Sequence, residues 1–335
     1  MTVERFGKYL GSPVWRYTVT NAHGATLSCL SLGAVWYRWA VPVAGKLREL
    51  VIHSPEALDY VDDFSHHGQA IGRMAGRIPT TFKLGGRSVT VAANDGAVNL
   101  HGGTHGFYAL NWFGHIEGNQ IIFTREVTTV DDGFPGNMAV TIIYTLQDDD
   151  NVVIDYSANS DQESLFNPMN HAYFNLNAND ASVRNHILWL NSTQRFALGA
   201  DKLPSSELLT VTDTAYDFYS PMRIGAAITA LQDTPEKGLD EVYYAPHTDL
   251  EKPVASLSVA DVAVDFYSDR NAVVVYSANN WQDQPRLVNR TTGNQCGIAI
   301  ELQTAPSALN DTRFGSLLIT PKHPVHYQSQ YRLRR

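Results

Sequence analysis

His171 lies in a segment whose residue types could orient an imidazole for proton transfer. The stretch Asn170-His171-Ala172-Tyr173-Phe174-Asn175-Leu176 places this histidine between two asparagines in an otherwise aromatic and apolar run. An imidazole held in one orientation can donate or accept a proton near neutral pH. A lone histidine in an apolar strand is more often a core residue, but the flanking amides and the irregular approach at Asn167-Pro168 favour a functional role.

A glutamate interrupts a late apolar run, Gly297-Ile298-Ala299-Ile300-Glu301-Leu302-Gln303. Side chains alternate between the two faces of a strand, so Glu301 and Gln303 are predicted to share the face opposite Ile300 and its apolar neighbours. An unpaired carboxylate is costly to bury, and Glu301 therefore either faces solvent or serves a function. A carboxylate beside an amide on one face is what the wall of a polar pocket would contain.

Three further segments combine polar residues with glycines. They are Asn99-Leu100-His101-Gly102-Gly103, Gly72-Arg73-Met74-Ala75-Gly76-Arg77-Ile78 and Gly238-Leu239-Asp240-Glu241. Each also has a structural explanation, because paired glycines permit tight turns and an acidic loop is usually solvated. Taken one at a time, these segments do not define a site.

The histidines do not form a metal-binding pattern in the sequence. His101 and His105 are four residues apart, and that spacing brings two rings together only on a helix, which the intervening glycines disfavour. His66 and His67 likewise have no cysteine or Glu-x-x-His partner. The sequence therefore predicts that the protein binds no metal.

The elements that must position these residues are β-strands along nearly the whole chain. Short runs rich in Val, Ile, Thr and Tyr, bounded by Gly, Asn, Asp and Pro, indicate strands. The predicted strands are 17–20, 27–32, 35–41, 50–52, 121–123, 138–146, 152–156, 187–190, 262–267, 273–276 and 298–302. Tight turns are predicted at 84–87 and 147–151. Short helices are predicted at 55–60, after a Ser54 cap, and at 226–232.

This pattern predicts an all-β fold class, a large antiparallel β-sandwich with few short helices. No linker, low-complexity block or fixed-period repeat divides the chain. Residues 1–335 are therefore predicted to form one domain, with a two-domain split near residues 180–210 as the alternative.

Composition restricts the ligands and the compartment. The 335 residues carry a formal net charge of −9 without a basic face, which argues against nucleic acid and anionic membrane as partners and favours an uncharged ligand. Cys29 and Cys296 are predicted to be buried free thiols in a reducing compartment. The sequence has no apolar signal-peptide core at Met1–Phe6 and no membrane-spanning run, so a cytoplasmic protein is expected.

In this order along nearly the whole chain, the motifs resemble the aldose 1-epimerase (galactose mutarotase) family. The resemblance begins with Tyr17-Thr18-Val19-Thr20-Asn21, Gly24-Ala25 and Gly33-Ala34, and continues through the Gly72–Ile78, Asn99–Gly103, Asn170–Leu176 and Gly238–Asp240 segments to Glu301-Leu302-Gln303. The His171 and Glu301 segments, in this order and separation, are its most specific part.

The resemblance implies a galactose mutarotase-like sandwich with a sugar site and no cofactor. It implies that His171 is the general acid, that Glu301 is the general base, and that Arg77, His101 and Asp240 bind sugar hydroxyls in a site also lined by Gly76 and Tyr173. The residue types suit this chemistry independently. Interconversion of anomers requires one base at the C1 hydroxyl and one acid at the ring oxygen, expected on opposite sides of the same carbon. Unperturbed pKa values of about 4.3 for glutamate and about 6.5 for histidine fit these roles.

The sequence departs from the family pattern at four places. Val274 stands where the family carries a glutamine, Met169 replaces a threonine, Gly76 stands where many members carry Asn, and the stretch 305–310 is altered. None of these changes removes the acid or the base. They are expected to affect the rim of the site and thus the choice of sugar.

The expected substrate is a free hexose, galactose or glucose, and the alternatives are a disaccharide such as maltose or a hexose phosphate. A phosphate would favour additional arginine or lysine near the pocket, and only Arg73 and Arg77 are evident. A non-catalytic sugar-binding protein on the same fold is a further alternative, but it would not need both His171 and Glu301. A structural sandwich would leave Glu301 solvated. The oligomeric state, a homodimer included, is not readable from the sequence.

Overall fold

A computed structural model describes residues 1–61 and 64–335, and β-strands dominate it. The first fourteen strands are β1 (Thr2–Tyr9), β2 (Ser12–Thr20), β3 (Thr26–Leu30), β4 (Val35–Val43), β5 (Lys46–Glu49), β6 (Ala70–Ile71), β7 (Arg77–Pro79), β8 (Thr81–Leu84), β9 (Arg87–Thr90), β10 (Val98–Leu100), β11 (Phe113–Glu117), β12 (Gln120–Val127), β13 (Met138–Leu146) and β14 (Val152–Ser160). The others are β15 (Ser164–Leu165), β16 (Met169–Asn170), β17 (Tyr173–Phe174), β18 (Ile187–Leu190), β19 (Gln194–Leu198), β20 (Pro204–Thr210), β21 (Met222–Arg223), β22 (Asp240–Tyr244), β23 (Ala255–Val259), β24 (Val262–Ser268), β25 (Ala272–Tyr276), β26 (Ile298–Gln303), β27 (Leu318–Ile319) and β28 (Val325–Arg334).

Helices are short and few in the described part of the chain. The α-helices are α1 (Thr129–Asp132) and α2 (Ile224–Ala230). The 3₁₀ helices are Ala57–Tyr60, Phe107–Ala109, Val183–Asn185, Pro306–Leu309 and Thr312–Phe314. None of the helices in the described ranges is long and apolar enough to cross a membrane.

Three antiparallel sheets contain twenty of the described strands, and the other eight form four two-stranded sheets. The largest has nine strands in the order β11-β12-β13-β14-β28-β24-β23-β18-β21, and the second has six in the order β17-β26-β25-β22-β19-β20. The third contains β1 to β5 in chain order. Their ladders are antiparallel throughout, as β13 with β14 and β25 with β26 illustrate. The all-β antiparallel fold class predicted from the sequence is therefore confirmed.

The main apolar core joins the nine-stranded and six-stranded sheets. On the nine-stranded sheet, every second residue of β13 is buried, from Met138 to Leu146. On the six-stranded sheet, Ile298, Ile300 and Leu302 belong to the same buried cluster. Burial of each such side chain stabilises the fold by about 1.5–3 kcal/mol. Because one face of β26 is committed to this core, its other face, which carries Glu301 and Gln303, is free to form a site.

Most predicted elements are confirmed and three differ in detail. The strands 138–146 and 187–190 coincide with β13 and β18, and both predicted turns connect antiparallel strands. The stretch 50–52 is wrong as a strand, because it forms only one isolated bridge, Val51 with Phe174. The first helix is capped by Glu56 and Asp59 rather than by Ser54, and the second begins at Ile224, before the predicted start. Cys29 and Cys296 are buried and free, as predicted.

Candidate active site

A cavity of about 240 Å³ lies against the polar face of β26. All seven residues that the resemblance implicates contribute to its lining: Gly76, Arg77, His101, His171, Tyr173, Asp240 and Glu301. Five separate segments of the chain supply these side chains, and only the folded sheets bring them together. The solvated alternative for Glu301 is wrong, since this residue is only 3% exposed.

His171 and Glu301 are in direct contact at the base of this cavity. His171 Nε2 lies 3.2 Å from Glu301 Oε1. The contact follows from strand register, because Tyr173 of β17 pairs with Ala299 of β26 and places each catalytic candidate two residues beyond that pair. The two groups therefore contact each other directly, whereas the sequence predicted an acid and a base on opposite sides of the sugar carbon C1. Adjacency suits the chemistry, since the ring oxygen and the anomeric hydroxyl of a sugar are bonded to the same carbon.

The His171 imidazole is held by its neighbours. Its ring stacks on Tyr173 with centroids 5.1 Å apart and planes inclined by 25°. The Tyr173 hydroxyl donates a hydrogen bond to the Ser65 carbonyl at 3.0 Å, which fixes that aromatic ring in turn. Asn170 Nδ2 donates to the Gly68 carbonyl at 2.8 Å and anchors the backbone just before the histidine. Asn170 thus holds the backbone next to His171 rather than the imidazole ring.

Burial dominates the electrostatics of Glu301. Removal from water raises the pKa of this carboxyl to about 8, the negative charge of Asp240 adds to the rise, and Arg77 acts in the opposite direction. Because His171 Nε2 is in contact with this carboxyl, a proton can pass directly between the two groups. An acid and a base in contact can give a proton to one oxygen and accept one from a neighbouring oxygen.

His101 is a neutral hydrogen-bonding group in this environment. Burial, followed by the charges of His171, His66 and Arg77, lowers its pKa well below the usual histidine value. Its Nδ1 accepts a hydrogen bond from the Gly76 N–H at 3.3 Å, which assigns the ring proton to Nε2. His101 therefore presents an N–H donor. A side chain at Gly76 would be strained in this chain, because its φ is +75° and a Cβ would lie 2.8 Å from Pro306 Cγ.

Ion pairs fix the two charged residues expected to bind sugar hydroxyls. Arg77 Nε lies 2.7 Å from Asp95 Oδ2, and Asp240 Oδ2 lies 2.9 Å from Lys202 Nζ. Asp240 begins β22 and is not part of a solvated turn, so the structural explanation for its segment is wrong. Each pair holds a charged group at the cavity wall, and charge-assisted hydrogen bonds to hydroxyls are the interactions available to it.

Several cavity residues were missed by sequence reasoning. His66 and Lys202 line the cavity, and the His66 ring centroid lies 5.4 Å from that of His101. Gln303 also lines the cavity, as the alternation of β26 predicted when it placed this amide on the face of Glu301. His66 and Lys202 lie in loops, and hydrophobic periodicity does not predict where loop residues are placed.

The sequence departures have unequal effects. Val274 pairs with Glu301 across β25 and β26 and lines the cavity, so an apolar side chain lies beside the Glu301 carboxyl. Met169 is wrong as a rim residue, because it packs against Ile71 and Ala75 in a separate apolar cluster. Arg73 also lies outside the cavity lining, fully buried against Asp132.

Three of these side chains are close enough to bind a cation together. One ligand atom each from His101, His171 and Glu301 lies within 4.8 Å of the others. The expectation of no metal rested on the spacing of His101 and His105. That spacing could not reveal this grouping, because only the fold brings the three residues together. The absence of a metal stays a prediction.

Comparisons with known proteins agree with this arrangement. A family model described as aldose 1-epimerase matches residues 16–332. Maltose epimerase of Levilactobacillus brevis is 31% identical over 331 residues, with 96% of this chain and 95% of that protein covered. Aldose 1-epimerase of Haemophilus influenzae is 30% identical, with 94% and 90% covered. A solved GalM/aldose epimerase homologue from C. elegans has a TM-score of 0.87 at 22% identity, covering 96% of this chain and 98% of that one, and this likeness concerns the fold.

The sandwich has a galactose mutarotase-like fold, and its cavity contains a buried imidazole–carboxylate pair. The match over residues 16–332 makes the assignment specific: the chain belongs to the aldose 1-epimerase family. It is an isomerase, and its substrate is a small-molecule sugar.

Proposed function

We propose that the protein interconverts the α and β anomers of a free hexose, galactose or glucose, with Glu301 as general base and His171 as general acid. The observation that carries this proposal is the 3.2 Å contact between His171 Nε2 and Glu301 Oε1 inside a cavity lined by hydroxyl-binding groups. One base and one acid at a single carbon are what ring opening requires.

The reaction uses the two groups in concert. The Glu301 carboxylate removes the proton of the C1 hydroxyl, His171 protonates the ring oxygen, and the C1–ring oxygen bond breaks to give the open-chain aldehyde. Rotation about the C1–C2 bond exposes the other face of the carbonyl. On closure, Glu301 returns a proton to the C1 oxygen. The hydroxyl formed from the ring oxygen gives its proton back to His171 as it attacks C1. Positioned acid and base groups contribute roughly 100- to 10,000-fold each.

The surrounding groups support a neutral sugar. Asp240 accepts hydrogen bonds from hydroxyls, while Arg77 and the Nε2–H of His101 donate to hydroxyl oxygens. Tyr173 provides an aromatic wall beside the His171 ring. These contacts would hold the sugar with C1 and the ring oxygen next to the catalytic pair, which is the positioning that catalysis needs.

A phosphorylated hexose is disfavoured by charge. Of the described cavity residues, Arg77 is paired with Asp95, and Lys202 is paired with both Asp240 and Glu236. Neither cation is available as an unpaired partner for a phosphate, and Glu301 and Asp240 would repel one.

A disaccharide such as maltose is a second candidate substrate. A neighbouring cavity of about 320 Å³ shares Phe64, His66 and Leu100 with the lining of the catalytic cavity. The exposed Phe64 ring at this junction offers an apolar face on which a second sugar unit can stack. The similarity to maltose epimerase of Levilactobacillus brevis points in the same direction.

Polarimetry of freshly dissolved α-galactose, α-glucose and α-maltose tests the proposal. The wild type should accelerate equilibration of at least one of them, while His171→Ala and Glu301→Gln should lose nearly all of this acceleration. A protein that accelerates no free sugar would be a binder rather than an epimerase. Unchanged rates in the two variants would overturn the assignment of acid and base alone.

A surface pair provides the matched control. His115 Nε2 lies 3.1 Å from Glu117 Oε1 on β11, with both side chains substantially exposed and outside the cavity lining. His115→Ala and Glu117→Gln make the same chemical changes at the same kind of contact. We expect both controls to retain wild-type rates.

A further inference from the structure

Gln303 is a buried polar side chain that no protein group satisfies within the described residues. It is 0% exposed, and neither Oε1 nor Nε2 has a hydrogen-bond partner there. By contrast, the buried amide of Asn167 exchanges two hydrogen bonds with the backbone of Thr304. A buried amide without partners is destabilising, so the position of Gln303 calls for a functional explanation.

The Gln303 amide belongs to the catalytic cavity. Gln303 lines that cavity together with Glu301, and the two share one face of β26. The residue opposite is Gly76, where a Cβ would lie only 3.1 Å from Gln303 Nε2. Because Gly76 has no side chain, it does not cover the amide within the cavity that both residues line.

The amide group selects a particular kind of ligand. Its nitrogen donates hydrogen bonds and its oxygen accepts them, so it pairs with two neighbouring hydroxyls, one accepting and one donating. A phosphate or carboxylate at this position could accept from the nitrogen but would leave the amide oxygen facing a negative charge. The complementary ligand is an uncharged vicinal diol.

Strand geometry indicates which hydroxyls these are. Residues two apart on a strand are separated by about 6.6 Å along its axis, so Gln303 lies well beyond the groups that act at C1. We infer that Gln303 is a specificity-determining residue that binds the vicinal C3 and C4 hydroxyls of the sugar ring. The inference rests on the proposed function and extends it by naming the part of the sugar that the enzyme recognises.

The first test separates binding from folding by replacing Gln303 with the similarly shaped, apolar Met. Because the amide has no protein partner, Gln303→Met should unfold at the wild-type temperature or above. Its affinity for the 1,5-anhydro form of the accepted hexose, which cannot epimerise, should fall roughly tenfold by calorimetry. Asn175→Leu is the matched control, since that buried amide donates to Ala181 and Cys296 carbonyls and its loss should lower the melting temperature.

The second test locates the hydroxyls. Epimerisation of the 2-, 3-, 4- and 6-deoxy forms of the accepted hexose is measured for the wild type and Gln303→Met. The roughly tenfold difference in kcat/KM expected on the parent sugar should approach one for the 3- and 4-deoxy sugars and persist for the others. If the ratio of kcat/KM between the wild type and Gln303→Met is the same on every sugar, or if the variant binds the 1,5-anhydro sugar as the wild type does, the inference is overturned.

The outcomes also distinguish the inference from the proposed function. Loss of 1,5-anhydro sugar binding in Gln303→Met, without any epimerase activity in the wild type, would retain the inference and reject the proposed reaction. Epimerase activity in the wild type, with equal binding of the 1,5-anhydro sugar by the wild type and Gln303→Met, would retain the proposed reaction and reject the inference. A lowered melting temperature with unchanged binding would show that the amide is structural.

Discussion

The contact between His171 and Glu301, the proposed catalytic pair, lets a proton pass directly between the two side chains. Both side chains are nearly inaccessible to solvent, and their atoms lie 3.2 Å apart. Burial makes the charged form of Glu301 costly, which is why its pKa is raised to about 8. An imidazole in contact can take over the proton without separating charge over a long distance. The same burial that penalises the carboxylate thus makes it a stronger base.

The raised pKa of Glu301 predicts an unusual pH dependence. Because the carboxylate form accepts the anomeric proton, kcat/KM should rise as the pH increases toward about 8. An ordinary glutamate, with a pKa of about 4.3, would instead give a plateau from mildly acidic pH. Polarimetry over a pH series, corrected for buffer catalysis, measures this rising limb of the plot of kcat/KM against pH.

Asp240 and Arg77 provide signed controls for that profile. The charge of Asp240 adds to the raised pKa of Glu301, so Asp240→Asn should move the rising limb to lower pH. Arg77 opposes the rise, so Arg77→Met should move the limb to higher pH. A rate that is level between about pH 5 and pH 8 in the wild type would contradict the assignment of Glu301 as the base.

The grouping of His101, His171 and Glu301 predicts opposite responses to metal removal and metal addition. Anomerisation by acid–base transfer needs no metal, so EDTA should leave the rate unchanged. Added Zn²⁺ should inhibit, because two imidazoles and a carboxylate within 4.8 Å resemble a zinc site and the ion would occupy the proton-transfer groups. His101→Gln should weaken this inhibition. An EDTA-inactivated enzyme that recovers with a divalent ion would contradict the prediction.

At the scale of elements, two buried side chains connect the segment before His171 with the end of β26. Arg270 donates to the carbonyls of Pro168 and Leu302, one from each segment. Asn167 exchanges hydrogen bonds with the backbone of Thr304, also across the two segments. Since His171 and Glu301 lie a few residues from these links, we expect the links to reinforce the separation that the β17–β26 register gives the proposed catalytic pair.

Replacement of Arg270 should therefore affect turnover as well as stability. Arg270→Met leaves two buried carbonyls without a donor, at a cost of about 1–3 kcal/mol each. We expect kcat to fall more than KM changes, because the catalytic pair loses its alignment while the hydroxyl-binding groups stay in place. Arg270→Lys, which retains the charge without the fork of donors, should recover part of the loss. Urea unfolding and polarimetry provide the two readouts.

Arg73 is the matched control for Arg270. It is equally buried, binds Asp132 through two nitrogens, and makes its contacts outside the cavity lining. Arg73→Met should lose comparable stability, whereas kcat of the folded fraction should stay at the wild-type value. Equal kcat losses in both variants would show that Arg270 has only a structural role.

The elements were largely predictable from the sequence, whereas the site was predictable only in part. Alternation of apolar residues located β13 and β18 because each buries one face. The stretch 50–52 failed because Val51 forms only an isolated bridge with Phe174, whose strand β17 makes its ladder with β26 instead. His171 and Glu301 were found through motifs. Lys202 was missed because its place in the cavity depends on contacts between distant segments, which no local pattern encodes, whereas the alternation of β26 indicated Gln303.

For the whole molecule, a buried ionisable site is a source of instability that the apolar core must offset. The core joins residues from Tyr17 to Tyr331, and the cavity lies on the far side of the six-stranded sheet from it. Rigid sheets can hold Glu301 and Gln303 in positions that are unfavourable for folding and favourable for binding a polar ligand. Activity and stability are therefore expected to be in conflict at these positions.

Glu301→Gln should accordingly stabilise the protein while it removes activity, and the gain should depend on pH. The pKa of Glu301 is raised from its ordinary value near 4.5 to about 8 in the folded state, so the folded state binds the proton more tightly than the unfolded state does. The wild type must then lose stability as the pH rises from about 4.5 through about 8. Glutamine does not titrate and is spared this loss.

The free energy of unfolding in urea, measured for both proteins across this range, gives the test. The advantage of Glu301→Gln should grow with pH up to about 8 and then level off. Glu117→Gln, at the exposed carboxylate beside His115, should show no such trend. If the advantage of Glu301→Gln is constant or shrinks with pH, the folded state does not raise the pKa of Glu301, and the explanation of its strength as a base fails with it.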